Sequence, residues 1–465
     1  MRAVAKASLS PLRAPGYYYG LPSRPTFVAS TIDEVWAPST GPEAYTPTKM
    51  LRAISEHKIV ALWEAGDWTS LDVVRIGIVG ESSAPVILWI GVVPESLSGE
   101  NVAPWPLTRA KSFYDSGIKD VEVEIRESRV FKSVGARSFG PTEICRPEAS
   151  CTDPLREGTG GFYVVRSGIA DKVFFVTTWH VIFPLSLAKN ATIEYKNTGQ
   201  PRHKVTLLGD AAYKNLVTSI KGEVLIAEHQ ELRCQVMEGR EGDDVEDERT
   251  EAERLRDAAK KSLGAFHKEV DSKWAKPAGR ILSHVALAPP LKFSVGPLGF
   301  TQDIAVVEVD PSKIDASNFR RNVIDLGTEI DSAGFTVRVY SNVRNRTHFK
   351  YPTDRLLKLR DIISVSEMRH PGMVDQASEE CIVTGRASGI FSYSRYHVGN
   401  SPGIISKEWA ILPADSKSGP FSASGDSGSA IVDSSGRSLV LERLEAFGFN
   451  GSFGFKANFN LPFVA

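Results

Sequence analysis

Gly425-Asp426-Ser427-Gly428-Ser429 sets a hydroxyl between glycines, and the apolar pair Ile431-Val432 follows as the start of a strand. Glycine permits the tight turn that aims consecutive backbone N–H groups into one hole. By itself the pattern suits a plain hairpin turn as well as a nucleophile. A serine hydroxyl becomes an effective nucleophile when a base takes its proton and a carboxylate holds that base in the right tautomer. The chain offers a candidate for each part. His180 closes the run Val173-Phe174-Phe175-Val176-Thr177-Thr178-Trp179, where a lone histidine reads first as a core residue. Asp303 lies in Thr301-Gln302-Asp303-Ile304-Ala305-Val306-Val307, where a lone aspartate reads first as a loop residue or strand cap.

Taken together, the three follow the order His, Asp, Ser, each in the local setting its role requires. That order differs from those of subtilisin and the α/β-hydrolases. Thr177-Thr178-Trp179-His180-Val181, Asp303-Ile304-Ala305-Val306 and Gly425-Asp426-Ser427-Gly428-Ser429 resemble the histidine, aspartate and serine motifs of the chymotrypsin-like (trypsin-fold, PA-clan) serine proteases. Stretches such as DVVRIGIVG, VILWIGVVPESLSGE and EWAILPADSKSGPFSASGDSGS are similar, more narrowly, to predicted intracellular fungal proteases of this fold, a likeness that spans about residues 30–435.

The resemblance implies Ser427 as nucleophile, His180 as general base and then acid, and Asp303 as orienting carboxylate. Gly425 and Ser427 would donate the oxyanion-hole N–H groups. Phe421, Ser422, Ala423, Ser424 and Gly448 would line the substrate pocket, and Phe421, six residues before the nucleophile, disfavours a preference for Lys or Arg. No cofactor and no metal are expected, and the substrate would be a polypeptide. Two alternatives stand beside a serine endopeptidase: a catalytically degenerate protease fold acting as a binding or regulatory module, and a hydrolase that uses the same triad on esters or only on itself.

The spacing departs from the family template. From 180 to 303 is 123 residues and from 303 to 427 is 124, against about 45 and about 93 in the template. Surface insertions cost little loop entropy and account for such excesses. Trp179 stands where a small residue usually packs beside the base, so its ring must find room elsewhere. Arg75-Ile76-Gly77-Ile78-Val79-Gly80 imitates an activation cleavage site but lies far upstream and reads as a buried strand. Activation, if any, is expected by separation of the N-terminal domain.

The expected architecture is mainly β: a chymotrypsin-like double β-barrel with a charged helical insertion, preceded by a small α+β domain. Residues 1–30 read as a disordered, proline-containing leader, 31–135 as the α+β domain, and 136–465 as the protease domain. In the first domain, helical spacing appears over 46–66 and 104–117, with strands at DVVRIGIVG, APVILWIGVVP and VEVEIRESRVF. Within 238–274, Ala252, Leu255, Ala259, Leu263, Phe266, Val270 and Trp274 recur three or four apart, as on one face of a helix. That helix is a solvated insertion or, over 252–274, a docking element for a partner. TDRLLKLRDII (353–363) is a further helical candidate.

Composition sets the outer bounds. Hydrophobic residues are 42% and charged residues 24% of the chain, as in ordinary globular proteins. A formal net charge of -1 gives no global field for nucleic acid, and no basic stripe is present. No apolar run reaches transmembrane length and no secretory signal begins the sequence, so a cytoplasmic location is expected. The four cysteines, Cys145, Cys151, Cys234 and Cys381, include no CxxC pair. Cys145 and Cys151 would bridge in an oxidising compartment and stay as thiols in a reducing one.

Overall fold

The computed structural model describes residues 17–18, 25–30, 45–48, 68–78, 85–96, 121–128, 143–145, 158–166, 169–183, 190–210, 213–222, 243–296, 299–314, 322–326, 331–339, 349–369, 385–396, 404–413, 427–433, 435–438 and 449–450. These residues form mostly strands with few helices, a mainly-β class.

A seven-stranded sheet begins with the apolar runs of the first third of the chain. Strands β3 (Trp68–Ile78) and β4 (Val86–Val92) pair antiparallel, with Leu71 opposite Ile90 and Val73 opposite Leu88. β5 (Val121–Glu127) joins β4 in parallel, β1 (Phe27–Ser30) pairs with β5, and β2 (Tyr45–Thr48) pairs with β3. The sheet then takes two strands from much later in the chain, β19 (Gly385–Tyr396) and β20 (Ile404–Pro413), with Tyr393 opposite Leu71 and Ser394 opposite Ser70. It therefore crosses the division drawn at residue 135. One face carries Leu71, Leu88, Ile90, Val123, Ile125, Phe391 and Tyr393 in a common core. Of the helix expected over 46–66, Thr46–Thr48 belong to β2, and the rest lies outside the described residues, as does 104–117.

Part of the stretch read as a leader is built into this sheet. β1 covers 27–30, and Tyr18 is 1% exposed against Trp89. The anchor is polar: Tyr17 and Tyr18 each donate to Glu124 at 2.7 Å, and Trp89 Nε1 donates to the Tyr18 hydroxyl at 2.8 Å. Proline content gave no sign of an aromatic pair reaching a buried carboxylate.

A second, nine-stranded sheet comprises β6 (Glu143–Cys145), β7 (Gly158–Thr159), β8 (Phe162–Arg166), β9 (Ile169–Thr177), β10 (Ile193–Glu194), β11 (Lys204–Leu207), β12 (Ile281–Ala288), β15 (Ala305–Val309) and β22 (Phe449–Asn450). Its order is β22-β8-β9-β15-β12-β11-β6-β7, with β10 also on β12. Gly160 and Gly161 alone separate β7 from β8, a link that spans at most about 11 Å. In a flat sheet, six strand spacings would hold these strands about 29 Å apart. The sheet is therefore strongly curved rather than flat, and no ladder joins β7 to β8 among the described residues. Val173 and Phe175 enter one core while Phe174 and Val176 enter another, which is why this run is apolar without alternation.

Helix α2 (Asp243–Trp274) spans 32 residues inside the expected insertion. Its end is fixed by Arg280, which donates to the Trp274 carbonyl at 2.7 Å, pairs with Asp210 and stacks over Tyr213. Residues 353–363 are not helical: β17 (Leu356–Lys358) and β18 (Asp361–Ile362) occupy them. Leu357 and Leu359, two apart, both enter the core shared with Phe174 and Val176, so strand periodicity prevails over helix propensity. Cys145 lies in β6, and the other three cysteines lie outside the described residues.

Burial pushes the Glu124 carboxyl up to about 7, against the opposing effect of its tyrosine hydrogen bonds. A carboxyl whose folded-state value is raised binds more protons folded than unfolded, so its contribution is full below the unfolded value and lost as pH rises towards 7. Wild-type protein should lose stability relative to Glu124→Gln between about pH 4.5 and 7, by on the order of 3 kcal/mol, in urea unfolding curves across that range.

Candidate active site

His180 follows the point where β9 stops being a strand. Thr178 is extended and stands just before α1 (Trp179–Ile182), a single turn in which Phe183 N–H donates to the Trp179 carbonyl at 2.8 Å. Trp179, Val181 and Ile182 are buried, and the turn leaves the imidazole on the other side. The Trp179 ring finds its room in the inner core with Val173, Phe175 and Val307, 5.4 Å from Phe183. It is wholly buried, and its Nε1 has no hydrogen-bond partner among the described residues. Packing of a ring this size, worth about 3 kcal/mol or more, outweighs an orphaned donor.

Asp303 arrives by strand register. β15 pairs with β9 so that Ala305 stands opposite Thr177, and two residues upstream is Asp303. Its carboxylate grips one residue with both oxygens. Oδ2 is 2.5 Å from His180 Nδ1, and Oδ1 accepts the His180 backbone N–H at 3.0 Å. An acceptor at Nδ1 selects the tautomer protonated there, which leaves the Nε2 lone pair free. That lone pair faces Ser427 Oγ at 2.9 Å. The His180 and Asp303 side chains are 9% and 16% exposed, so water competes little for the bond between them.

The serine turn rests on the glycine-rich link between β7 and β8. Thr159 N–H donates to the Ser427 carbonyl at 2.8 Å. Gly428 has φ +98°, and a Cβ there would lie 2.1 Å from the Thr159 carbonyl oxygen. A Cβ on Gly161 would lie 2.4 Å from the Gly428 oxygen, and one on Gly158 would lie 2.9 Å from the Ser427 oxygen. Thr177 Oγ1 donates to the Thr159 carbonyl at 2.9 Å, which ties this cradle to the end of the strand that leads to His180. Gly158-Thr159-Gly160-Gly161 carries a signal in the sequence: glycine clustered at the start of a strand, a mark of close backbone approach.

His180, Asp303 and Ser427 thus converge from segments 123 and 247 residues apart. Of the two expected oxyanion-hole donors, Ser427 is described and Gly425 lies outside the described residues, as do Phe421, Ser422, Ala423, Ser424 and Gly448. Among the described residues no group of three or more His, Cys, Asp or Glu side chains is placed to hold a metal, and no helix is long and apolar enough to cross a membrane. No protein-family model, curated protein or solved structure matches this chain. The chemistry open to the site follows from its geometry: a hydroxyl beside an imidazole nitrogen, with that imidazole held by a carboxylate.

Gly428→Ala should destabilise the protein by about 2 kcal/mol or more, because a left-handed backbone and a clash with main chain combine. Gly199, φ +83° with nothing within 4 Å, isolates the backbone part, and Gly199→Ala should cost only about 1 kcal/mol in the same urea titration.

Proposed function

We propose that this chain is a serine endopeptidase of the chymotrypsin-like class, acting through Ser427, His180 and Asp303. The observation that carries the proposal is the unbroken hydrogen-bonded line from the Asp303 carboxylate through the imidazole to the Ser427 hydroxyl. The curled nine-stranded sheet, which delivers both His180 and Asp303, supports a barrel of that fold; a second barrel would form around the short strands that pack against its outer face. The substrate is a polypeptide, and no cofactor takes part.

Ser427 Oγ attacks the scissile carbonyl carbon as its proton passes to His180 Nε2. The new imidazolium keeps its Nδ1 proton on Asp303, whose negative charge stabilises it. The tetrahedral oxyanion falls to the N–H groups of the serine turn. Collapse breaks the C–N bond, and Nε2 returns its proton to the leaving amine. Water then repeats the sequence on the acyl-enzyme and frees Ser427. Trp179, whose ring had to find room beside the base, is packed into the core, clear of the line.

A fluorophosphonate probe should label the folded wild-type protein and leave Ser427→Ala unlabelled. His180→Ala should reduce the labelling rate by about 10³-fold or more, and Asp303→Asn by a comparable factor. A folded wild-type protein that takes no Ser427-dependent label would overturn the proposal.

A further inference from the structure

The segment that delivers Asp303 joins the two sheets. β13 (Lys292–Val295) and β14 (Phe300–Gln302) form an antiparallel hairpin, with Val295 opposite Phe300. β14 ends at Gln302 and β15 begins at Ala305, so Asp303 and Ile304 alone lie between them. β15 is fixed in the nine-stranded sheet, whereas β14 is seated on the seven-stranded one. The Phe300 ring packs against that sheet's apolar core, 5.4 Å from Phe391 and 5.9 Å from Trp409. Those two rings are 4.3 Å apart, and the Lys407 ammonium sits 4.0 Å from the Phe391 centroid and 5.9 Å from that of Phe300.

The aspartate has little freedom to drift. One carboxylate must satisfy both the ring and the backbone N–H of His180, so its chain must enter from a defined place on each side. Downstream, the β9 ladder sets that place. Upstream, the Gln302 amide donates at 3.0 Å to the carbonyl of Pro290, just before β13, and Phe300 fixes the hairpin to β19 and β20. Aromatic contacts of this kind are worth about 0.5–1.5 kcal/mol beyond burial.

We infer that Phe300 is a positioning residue: by seating β14 on the seven-stranded sheet it holds Asp303 against His180, which makes the N-terminal strands a working part of the catalytic centre. This inference rests on the protease reading. The N-terminal strands enter this arrangement through β3, which pairs with β19 in the same sheet.

The test uses the full chain with Phe300→Ala, Phe300→Leu and, as a control on the exposed side of the hairpin, Lys292→Ala. A displacement of about 1 Å at a catalytic group costs up to about 100-fold, so Phe300→Ala should slow Ser427-dependent fluorophosphonate labelling by about tenfold or more. Phe300→Leu should recover to within about threefold of wild type, since apolar volume is nearly kept. Lys292→Ala should match wild type. Hydrogen exchange reads the same contact without catalysis: in Phe300→Ala the His180 amide, whose acceptor is Asp303, should exchange faster while the Val306 and Val307 amides stay protected. An unchanged labelling rate, or protection lost equally across His180, Val306 and Val307, would overturn the inference. A wild-type protein without Ser427-dependent label overturns the protease reading itself, and the catalytic meaning of this contact with it.

Discussion

The pairing of Ala305 with Thr177 is the constraint on which the site depends. A strand has a period of two, so slipping β15 by one residue along β9 would turn Asp303 away from His180 and every apolar side chain to the opposite face. The register is held because both faces are buried: Val307 lies in the inner core and Val306 in the outer one. Alignment of Asp303 with His180 and core packing are thus a single requirement. Any slip that separated Asp303 from His180 would also force each of these side chains into a space shaped for another residue, and overpacking of that kind costs about 1–3 kcal/mol per site.

The serine is governed by a different kind of contact. Its turn approaches the β7–β8 link so closely that main chain touches main chain, with glycine at Gly158, Gly161 and Gly428 where side chains would intrude. His180 and Asp303 are placed by burial of the side chains around them, and Ser427 by the absence of side chains. Trp179 belongs to the first mechanism. Its bulk next to the imidazole is absorbed by the core and anchors the one-turn helix that presents His180.

These mechanisms explain what could be read from the sequence. His180, Asp303 and Ser427 were legible because each sits in a local pattern, a strand end or a glycine turn, and their chain order adds information that no single pattern holds. The long helix was legible from its periodicity, and the strands at 68–78, 86–92 and 121–127 from their apolar runs. Residues 353–363 misled because their leucines suit a helix by propensity, whereas burial of Leu357 and Leu359 on one side decides for a strand. Tyr17 and Tyr18 gave no signal, since their partner Glu124 lies more than a hundred residues away. The joining of β19 to β3 was hidden for the same reason: pairing between distant segments leaves no trace in local periodicity.

That last pairing has a consequence for the protein's birth. Asp72 on β3 meets Ser392 on β19 across 320 residues of chain. At the usual pace of translation, about 5–20 residues per second, β3 leaves the ribosome some 16–64 s before its neighbour exists. Through that interval its outer edge offers unpaired N–H and C=O groups to any passing strand. The nascent chain therefore carries an open strand edge at β3 until β19 emerges to cover it.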